Sequence, residues 1–353
     1  MIHANSFTIK WINEMSKINR KADPILIEKV IRAIYLLELL QNNGLNFIFK
    51  GGTSLMLMLS EPKRFSIDID VIIENKADNL STIFNKIIET SDFIEYKENE
   101  RKSNSEIEKS HYKFYYSPVT NSRSGNEYIL LDILFEKHHY GIHLQDIEIA
   151  SPFIQTTKSN LKVTIPVPEA ILGDKLTAFA PNTTGIPYEK GKEIEIIKQL
   201  YDIGNLFELI KKQDVVSEVF QQFAITELAY RNKNEHSVED VLQDILQTSL
   251  LISTKGQSGI GNYTELQKGI QNIKNFIFSE IFQLEKAIVL ASKSAYLSVL
   301  IKNKSNDIHF FKNPLEIKDW IIETPQETKL NKLKKTNPEA FFYWYKACQL
   351  MKE

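Results

Sequence analysis

The chain has 353 residues, 42% of them hydrophobic and 25% charged, with a formal net charge of −2. This composition indicates a globular protein with room for two domains, and the near-neutral charge excludes a uniformly basic nucleic-acid binder. The lone Cys348 cannot form an intrachain disulfide, and no apolar run approaches the roughly 18 residues of a membrane span. The first residues lack the basic-then-apolar order of a secretory signal, so we expect a cytoplasmic protein.

The first part of the chain mixes helical and strand patterns. Residues 23–43 place apolar side chains at helical spacing, with Asp23 as the N-cap and Pro24 at the first helical position. The apolar run 45–49 precedes a glycine turn, and the run 55–59 is predicted to be the helix that follows. Further predicted elements are strands at 64–73, 111–116, 128–135 and 161–167, and helices at 78–91 and 169–180.

The second part of the chain carries mostly helical patterns. Helices are predicted at 189–212, 214–230, 238–250, 265–301, 314–322 and 337–351. The first 185 or so residues therefore have a mixed α/β pattern and the remainder an α-helical one. Helix 189–212 is expected to join the two parts.

Two carboxylates, Asp68 and Asp70, alternate with apolar residues in the predicted strand 64–73. Residues i and i+2 of a strand project to the same face, so these groups repel each other unless a cation lies between them. Mg²⁺, a hard ion that takes oxygen ligands, is the simplest such cation. Because an isolated pair of this kind is more often a strand-end cap, the pattern alone leaves both interpretations open.

A glycine turn, Gly51-Gly52-Thr53-Ser54, lies a short distance before this acidic pair, with Asp68 fourteen residues after Ser54. Two glycines let a ligand approach the backbone closely, and a helix that begins at Thr53 or Ser54 presents free N–H groups to an anion. The Ser54 hydroxyl is a further donor. Together with the acidic pair, the turn predicts a phosphate-binding site that faces a metal ion.

Three more residues of the mixed region are candidates for the same site. Ser66 and Arg64 precede the acidic pair and can orient phosphates, although a solvated arginine is the commoner case. Asp132 lies alone in the apolar strand 128–135, where a charge is costly unless it is paired or bound to metal. Asp132 therefore either binds metal or acts as a general base, or it forms a buried ion pair with a lysine or arginine.

Three helical residues, Lys175, Lys198 and Asp202, would ordinarily be surface side chains, the last two forming an i,i+4 salt bridge. Their order in the chain nevertheless completes a resemblance to the AbiEii/AbiGii toxin nucleotidyltransferase family of the DNA polymerase β-like superfamily. The segments that carry it are Lys50–Leu55, Arg64–Asp70, Gly173–Lys175 and Lys198–Asp202. The resemblance covers about residues 20–215.

The resemblance implies an α+β fold with a polymerase β-like mixed sheet and flanking helices in a catalytic domain, residues 1–205. A helical domain, residues 206–353, would recognise substrate or partner. The implied protein is a toxin of a toxin–antitoxin or abortive-infection system, neutralised by a cognate antitoxin. It would use Mg²⁺, or Mn²⁺, to transfer a nucleotide from an NTP to RNA, in particular the tRNA 3′ end. The alternatives are transfer to a small-molecule or protein hydroxyl, and a non-catalytic nucleotide-binding module.

The resemblance also implies roles for individual residues. It assigns phosphate binding to Gly51, Gly52, Ser54 and Lys175, and it places Lys198 one turn before the last acidic motif. Thr53, Arg64, Ser66 and Lys198 complete the expected nucleotide-binding set. The metal ligands would be Asp68, Asp70 and Asp132. Lys175 and Asp202 would join these three as catalytic residues, and Asp132 or Asp202 would take the proton of the acceptor hydroxyl.

Two other patterns have a functional and a structural interpretation. His138, His139 and His143 would suit a transition metal, but a polar loop is favoured because no second ligand pair is spaced for it. The lysines of 329–335 and the aromatic run 341–345 have a composition that can grip RNA. A solvated turn followed by a core helix is the favoured interpretation of this second pattern.

Overall fold

The computed structural model describes residues 1–74, 79–99, 108–120, 125–157, 161–324 and 327–352. The chain forms two compact units, Met1–Val167 with Asn275–Ile281, and Pro168–Lys274 with Phe282–Glu353. The boundary between the two units falls after Val167 and not at residue 205, so Lys175 and Asp202 belong to the second unit. The assignment of catalysis to residues 1–205 and of recognition to 206–353 stays a prediction.

The first unit is built on a mixed sheet with flanking helices. Its helices are α1 (Ile9–Ile18), α2 (Pro24–Asn42), α3 (Gly51–Met58) and α4 (Leu80–Thr90), and its strands are β1 (Ile48–Lys50), β2 (Ile69–Ile73), β3 (Phe93–Glu98), β4 (Glu108–Tyr116), β5 (Glu127–Phe135), β6 (Leu144–Glu148) and β7 (Lys162–Pro166). The main sheet has the order β1-β2-β5-β4-β3, in which β2 and β5 are parallel and the other neighbours antiparallel. Strands β6 and β7 form a separate antiparallel pair. The predicted fold class is confirmed.

Helix α2 begins where its sequence predicts. The Asp23 side chain accepts a hydrogen bond of 2.9 Å from the Ile25 N–H, and Pro24 occupies the first turn, where a missing N–H costs nothing. Ile27, Ile31 and Ile34 of this helix are fully buried in the core of the unit.

The two faces of the main sheet differ in polarity. Ile69 and Val71 of β2 and Ile129 and Leu131 of β5 are buried in the core. The residues that alternate with them point to the opposite face, because successive side chains of a strand project to opposite sides. This second face carries the polar side chains of the candidate site.

The predicted strand 64–73 is correct only in its second half. Residues 64–68 are held by other partners: the Phe65 N–H donates to the Phe276 carbonyl over 2.8 Å, and the Thr53 hydroxyl donates to the Asp68 carbonyl over 2.5 Å. Because these groups replace the ladder to β5, the strand begins at Ile69.

The second unit is helical. Its helices are α5 (Pro168–Ala178), α6 (Glu193–Phe207), α7 (Gln213–Tyr230), α8 (Val238–Ser253), α9 (Tyr263–Asn272), α10 (Leu284–Lys302), α11 (Leu333–Thr336) and α12 (Pro338–Leu350). Within the described parts of the chain, no helix is long and apolar enough to cross a membrane.

The predicted helix 265–301 is wrong, because the chain leaves the helical path between α9 and α10. Residues 275–281 belong to the first unit, where Phe278 packs on Phe65 and Phe153 with ring centroids 4.5 and 5.3 Å apart. Burial of the Phe278 ring in the core of the first unit is worth more free energy than the local preference of the sequence for helix. The predicted helix 314–322 is likewise reduced to one short 3₁₀ turn, Pro314–Ile317.

The aromatic run near the C-terminus belongs to the core of the second unit. Phe341, Phe342, Tyr343 and Trp344 of α12 are buried, and the Trp344 indole donates to the Ser253 hydroxyl over 2.9 Å. The favoured core-helix interpretation is confirmed. These four rings are not available for stacking on RNA bases.

Candidate active site

Four polar residues form a row across the main sheet of the first unit. Strand register pairs Lys50 with Asp70, Asp70 with Asp132, and Asp132 with His111. Residues that are paired in register lie on the same face, so all four project from the face opposite the core. The row brings two carboxylates onto adjacent parallel strands, whose backbones are about 4.8 Å apart.

Asp132 is held by a histidine from the neighbouring strand. Nδ1 of His111 lies 2.6 Å from Oδ1 of Asp132, and the two side chains are 16% and 27% exposed. The ion-pair interpretation of Asp132 named a lysine or arginine, and the partner is His111 instead. The sequence gives one weak signal for it: His111 alternates with Tyr112, Phe114 and Tyr116, which places it on the polar face of its strand.

The glycine turn lies directly against Asp70. Gly51 opens α3 with φ +77°, and a Cβ at this position would overlap the Asp70 carboxylate. A Cβ at Gly52 would lie 2.6 Å from the Ser66 hydroxyl oxygen and 2.8 Å from Nη2 of Arg64. The structure therefore gathers the turn, Asp70, Ser66 and Arg64 into one cluster, in which glycine is required by space at both positions.

The hydroxyls of the turn have partners within the protein. Ser54 is fully buried and donates to the Gly51 carbonyl over 2.8 Å, while Thr53, also fully buried, donates to the Asp68 carbonyl. A hydroxyl carries a single proton, so the expected donation from Ser54 to an anion is not the arrangement in this structure. Thr53 instead ties the first turn of α3 to the segment that precedes β2.

Replacing Gly51 by alanine is expected to abolish the nucleotide transfer that the sequence resemblance predicts, because the added methyl group displaces the Asp70 carboxylate. Gly44→Ala is the matched control: Gly44 has the same φ of +77° and no atom within 4 Å of its Cβ position. Both substitutions cost about 1 kcal/mol of unfolding free energy from the positive φ alone. Transfer rates measured on both folded variants check this, and equal rates would contradict a role for the contact between the turn and Asp70.

The carboxylates of this site suit a divalent metal ion whose remaining ligands come from the substrate. Asp70 and Asp132 lie side by side on adjacent strands, and Asp68 is exposed just before β2. Among the described residues, no three carboxylate, imidazole or thiol groups cluster closely enough to hold a metal alone. Mg²⁺ is usually bound by one or two carboxylates together with substrate phosphates, so the strand pair fits this ion.

Lys175 and Asp202 form a buried ion pair in the second unit. Nζ of Lys175 lies 2.7 Å from Oδ2 of Asp202, with side chains 7% and 2% exposed, and also donates to Oε1 of Gln199 over 3.2 Å. The ordinary interpretation of both residues as surface side chains is therefore wrong. Lys198 pairs with Glu195 over 2.9 Å, one turn along α6.

The three histidines that follow β5 lie in irregular structure. Nε2 of His138 is 3.5 Å from Glu74, and Nε2 of His139 is 3.8 Å from Glu136. These contacts pair partly buried imidazoles with single carboxylates, as expected of a polar loop and not of a cluster of metal ligands.

Replacing His111 by alanine is expected to lower nucleotide transfer by about 10- to 100-fold, because Asp132 loses the hydrogen bond that orients it. His111→Asn retains a side-chain amide at the position of Nδ1 and is expected to recover a large part of the rate. Steady-state kinetics and Mn²⁺ binding to the nucleotide-free protein provide the measurement. A His111→Ala variant with the metal affinity and rate of the parent would show that the pair only stabilises the sheet.

The comparison with protein families identifies the class. A family model described as nucleotidyl transferase AbiEii toxin, type IV TA system, matches residues 35–270, about two thirds of the chain. The mixed sheet with its flanking helices and this match define a nucleotidyltransferase. The chain belongs to the AbiEii family of nucleotidyltransferase toxins, which are the toxins of type IV toxin–antitoxin systems. The family resemblance of the sequence motifs is confirmed.

The solved structures that match the chain share little sequence with it. MenT4, a nucleotidyltransferase toxin from Mycobacterium tuberculosis, is 9% identical over 94% of this chain and 98% of its own, with a TM-score of 0.45. JHP933 from Helicobacter pylori is 15% identical over 78% and 90%, with a TM-score of 0.41. An antigenic nucleotidyltransferase-like protein from Paracoccidioides brasiliensis is 14% identical over 61% and 92%, with a TM-score of 0.37. No curated relative matches the sequence.

Proposed function

We propose that this toxin transfers a nucleotide from an NTP to a hydroxyl of RNA, at the tRNA 3′ end, with Mg²⁺ or Mn²⁺ as the metal. It acts in the cytoplasm and is opposed by a cognate antitoxin, as its family implies. The proposal rests on the strand register, which places Asp70 beside Asp132, with Gly51 in close contact with the Asp70 carboxylate.

The nucleotide phosphates are assigned to the glycine turn. The first N–H groups of α3 and its positive end stabilise an anion, and no side chain at Gly51 or Gly52 blocks its approach. Arg64 and Ser66, which adjoin Gly52, orient the same phosphates. Thr53 and Ser54 contribute through the backbone of the turn, since their hydroxyls bond to protein carbonyls.

The family resemblance assigns the remaining triphosphate contacts to the helical residues. Lys175 and Lys198 offset the charge on the β- and γ-phosphates, and Asp202 holds the Lys175 ammonium in place. Because the Asp202 carboxylate already fixes its position, Lys175 loses little conformational freedom on binding a phosphate, which suits it to this task.

The reaction joins the acceptor hydroxyl oxygen to the α-phosphorus and breaks the bond from that phosphorus to the pyrophosphate oxygen. Asp68, Asp70 and Asp132 are the residues that would hold the divalent ion, which when bound stabilises charge on the attacking and leaving oxygens. Asp132, oriented by His111, accepts the hydroxyl proton, since Asp202, the other base that the resemblance allows, is already paired with Lys175. Pyrophosphate leaves with the electron pair of the broken bond.

Competition among acceptors tests the proposal. The full chain is incubated with each α-labelled NTP, Mg²⁺ and a cell extract, which is then separated into RNA, protein and small molecules. We expect label in tRNA from the parent chain and none from Asp70→Asn. Label confined to protein or to small molecules would assign a different acceptor, and nucleotide binding without transfer to any fraction would indicate a binding module.

A further inference from the structure

The exposed face of the main sheet continues beyond the carboxylates into a group of tyrosines and lysines. Strand register pairs Tyr115 of β4 with Tyr128 of β5, and Lys97 of β3 with Lys113 of β4. By alternation, all four lie on the same face as His111 and Asp132. We call these four residues, Lys97, Lys113, Tyr115 and Tyr128, the tyrosine–lysine strip.

Each tyrosine ring of the strip has a lysine ammonium over it. Nζ of Lys113 lies 4.6 Å from the Tyr128 ring centroid, and Nζ of Lys97 lies 5.2 Å from that of Tyr115. The two rings are 5.7 Å apart at their centroids, and Tyr128 is 38% exposed. The strip therefore presents two adjacent aromatic rings flanked by cations, the arrangement that binds unpaired nucleotides.

The hydrophobic core does not require these two rings. The aromatic residues that β4 gives to the core, Phe114 and Tyr116, alternate with Tyr115 and pack on the other face with Phe84 and Phe93.

The strip lies at a suitable distance from the carboxylates for a polynucleotide. Tyr128 is four residues from Asp132 along β5, which corresponds to about 13 Å of strand. At about 3.4 Å per stacked nucleotide, this spans roughly four nucleotides. Because β2 begins opposite Leu131, the part of β5 that carries Tyr128 has, among the described residues, no strand beside it on the β2 side.

The charges around the strip are mixed, since two glutamates lie among its ammonium groups. Nζ of Lys97 lies 2.7 Å from Glu95, and Nζ of Lys29, which is 5.6 Å from the Tyr128 centroid, lies 2.9 Å from Glu127. Each ion pair fixes an ammonium near a ring. A backbone phosphate has to compete with these carboxylates for the ammonium groups, and binding to the strip is expected to weaken with salt.

We propose that the tyrosine–lysine strip binds the single-stranded end of the RNA acceptor, with bases stacked on Tyr115 and Tyr128 and phosphates facing Lys97 and Lys113. The strip would hold the few nucleotides that precede the reacting hydroxyl. This inference rests on the proposed function for the identity of the acceptor, while the binding itself is independent of transfer.

Fluorescence anisotropy of labelled tRNA with the full chain, without NTP, tests the strip. Tyr115→Ala and Tyr128→Ala are each expected to raise Kd about tenfold, as loss of one stacked base does. Tyr115→Phe and Tyr128→Phe keep the ring and are expected to bind like the parent. tRNA that lacks its last four nucleotides is expected to bind the parent about 100-fold more weakly than intact tRNA does, because both stacked bases are lost.

The outcomes separate this inference from the proposed function. If both alanine variants are folded, as shown by thermal unfolding, and bind tRNA with the Kd of the parent, the proposed role of the strip is overturned. This holds even where the parent transfers nucleotides normally. Tyrosine-dependent RNA binding by a parent chain that transfers no nucleotide would support the strip and remove the proposed reaction. Alanine variants that lose binding of the antitoxin and keep that of RNA would also overturn the inference.

Discussion

Asp70→Asn is expected to lower the rate of nucleotide transfer by about 10³-fold while leaving the fold intact. Asparagine has the shape of aspartate, so the close contact with Gly51 is kept. It lacks the charge and one ligand oxygen, and a hard divalent ion binds carboxylate far better than amide. Initial rates with Mg²⁺ and Mn²⁺, and Mn²⁺ affinity of the nucleotide-free protein, measure the loss.

Asp146→Asn provides the matched control for this substitution. Asp146 is an exposed strand aspartate of the same unit that accepts a hydrogen bond of 2.7 Å from the Thr164 hydroxyl, on the separate β6–β7 pair. We expect its transfer rate and Mn²⁺ affinity to equal those of the parent. An Asp70→Asn variant within a few-fold of Asp146→Asn would contradict the assignment of Asp70 as a metal ligand.

Lys175→Ala is expected to lower the free energy of unfolding by about 3–5 kcal/mol, because it leaves the Asp202 carboxylate buried without its partner. Both side chains are more than nine-tenths buried, so water cannot take the place of the ammonium. The double variant Lys175→Met/Asp202→Leu removes both charges and is expected to recover most of this stability. Denaturant unfolding of the single and double variants measures both effects.

The double variant distinguishes a structural role of Lys175 from a role in binding the triphosphate. If Lys175 contacts the triphosphate, the refolded double variant lacks transfer although it is stable. Lys293→Ala serves as the control, since Lys293 is a buried lysine of the same unit that pairs with Glu208 and Glu339 over 2.6 and 2.8 Å. Its rate per folded molecule is expected to match the parent. A double variant with full activity would restrict Lys175 to a structural role.

The parts of the fold that depend on local signals are predictable from the sequence. Asp23 and Pro24 determine the start of α2, and the short apolar run 128–135 predicts β5, because capping and short apolar runs are signals that act within a few residues. Tertiary packing overrides such signals between α9 and α10, where the core of the first unit draws Phe278 out of a helical pattern.

The candidate site is predictable as residue types but not as an arrangement. Asp70 and Asp132 stand out as carboxylates in apolar strands, yet their juxtaposition depends on β2 pairing with β5 across two intervening strands of sequence. His111 has no local signal that it meets Asp132, 21 residues away. The burial of Lys175 and Asp202 similarly depends on how α5 packs on α6, which no short pattern encodes.

Labelling at two positions of the nucleotide tests most directly whether the site containing Asp70 and Asp132 transfers nucleotides to RNA. The full chain is incubated with tRNA, Mg²⁺ and each NTP labelled at either the α- or the γ-phosphorus. We expect the α-label to appear in RNA and the γ-label in pyrophosphate, both dependent on Asp70. RNA that takes up the γ-label, or that takes up no label from any NTP, would contradict nucleotidyl transfer by this site.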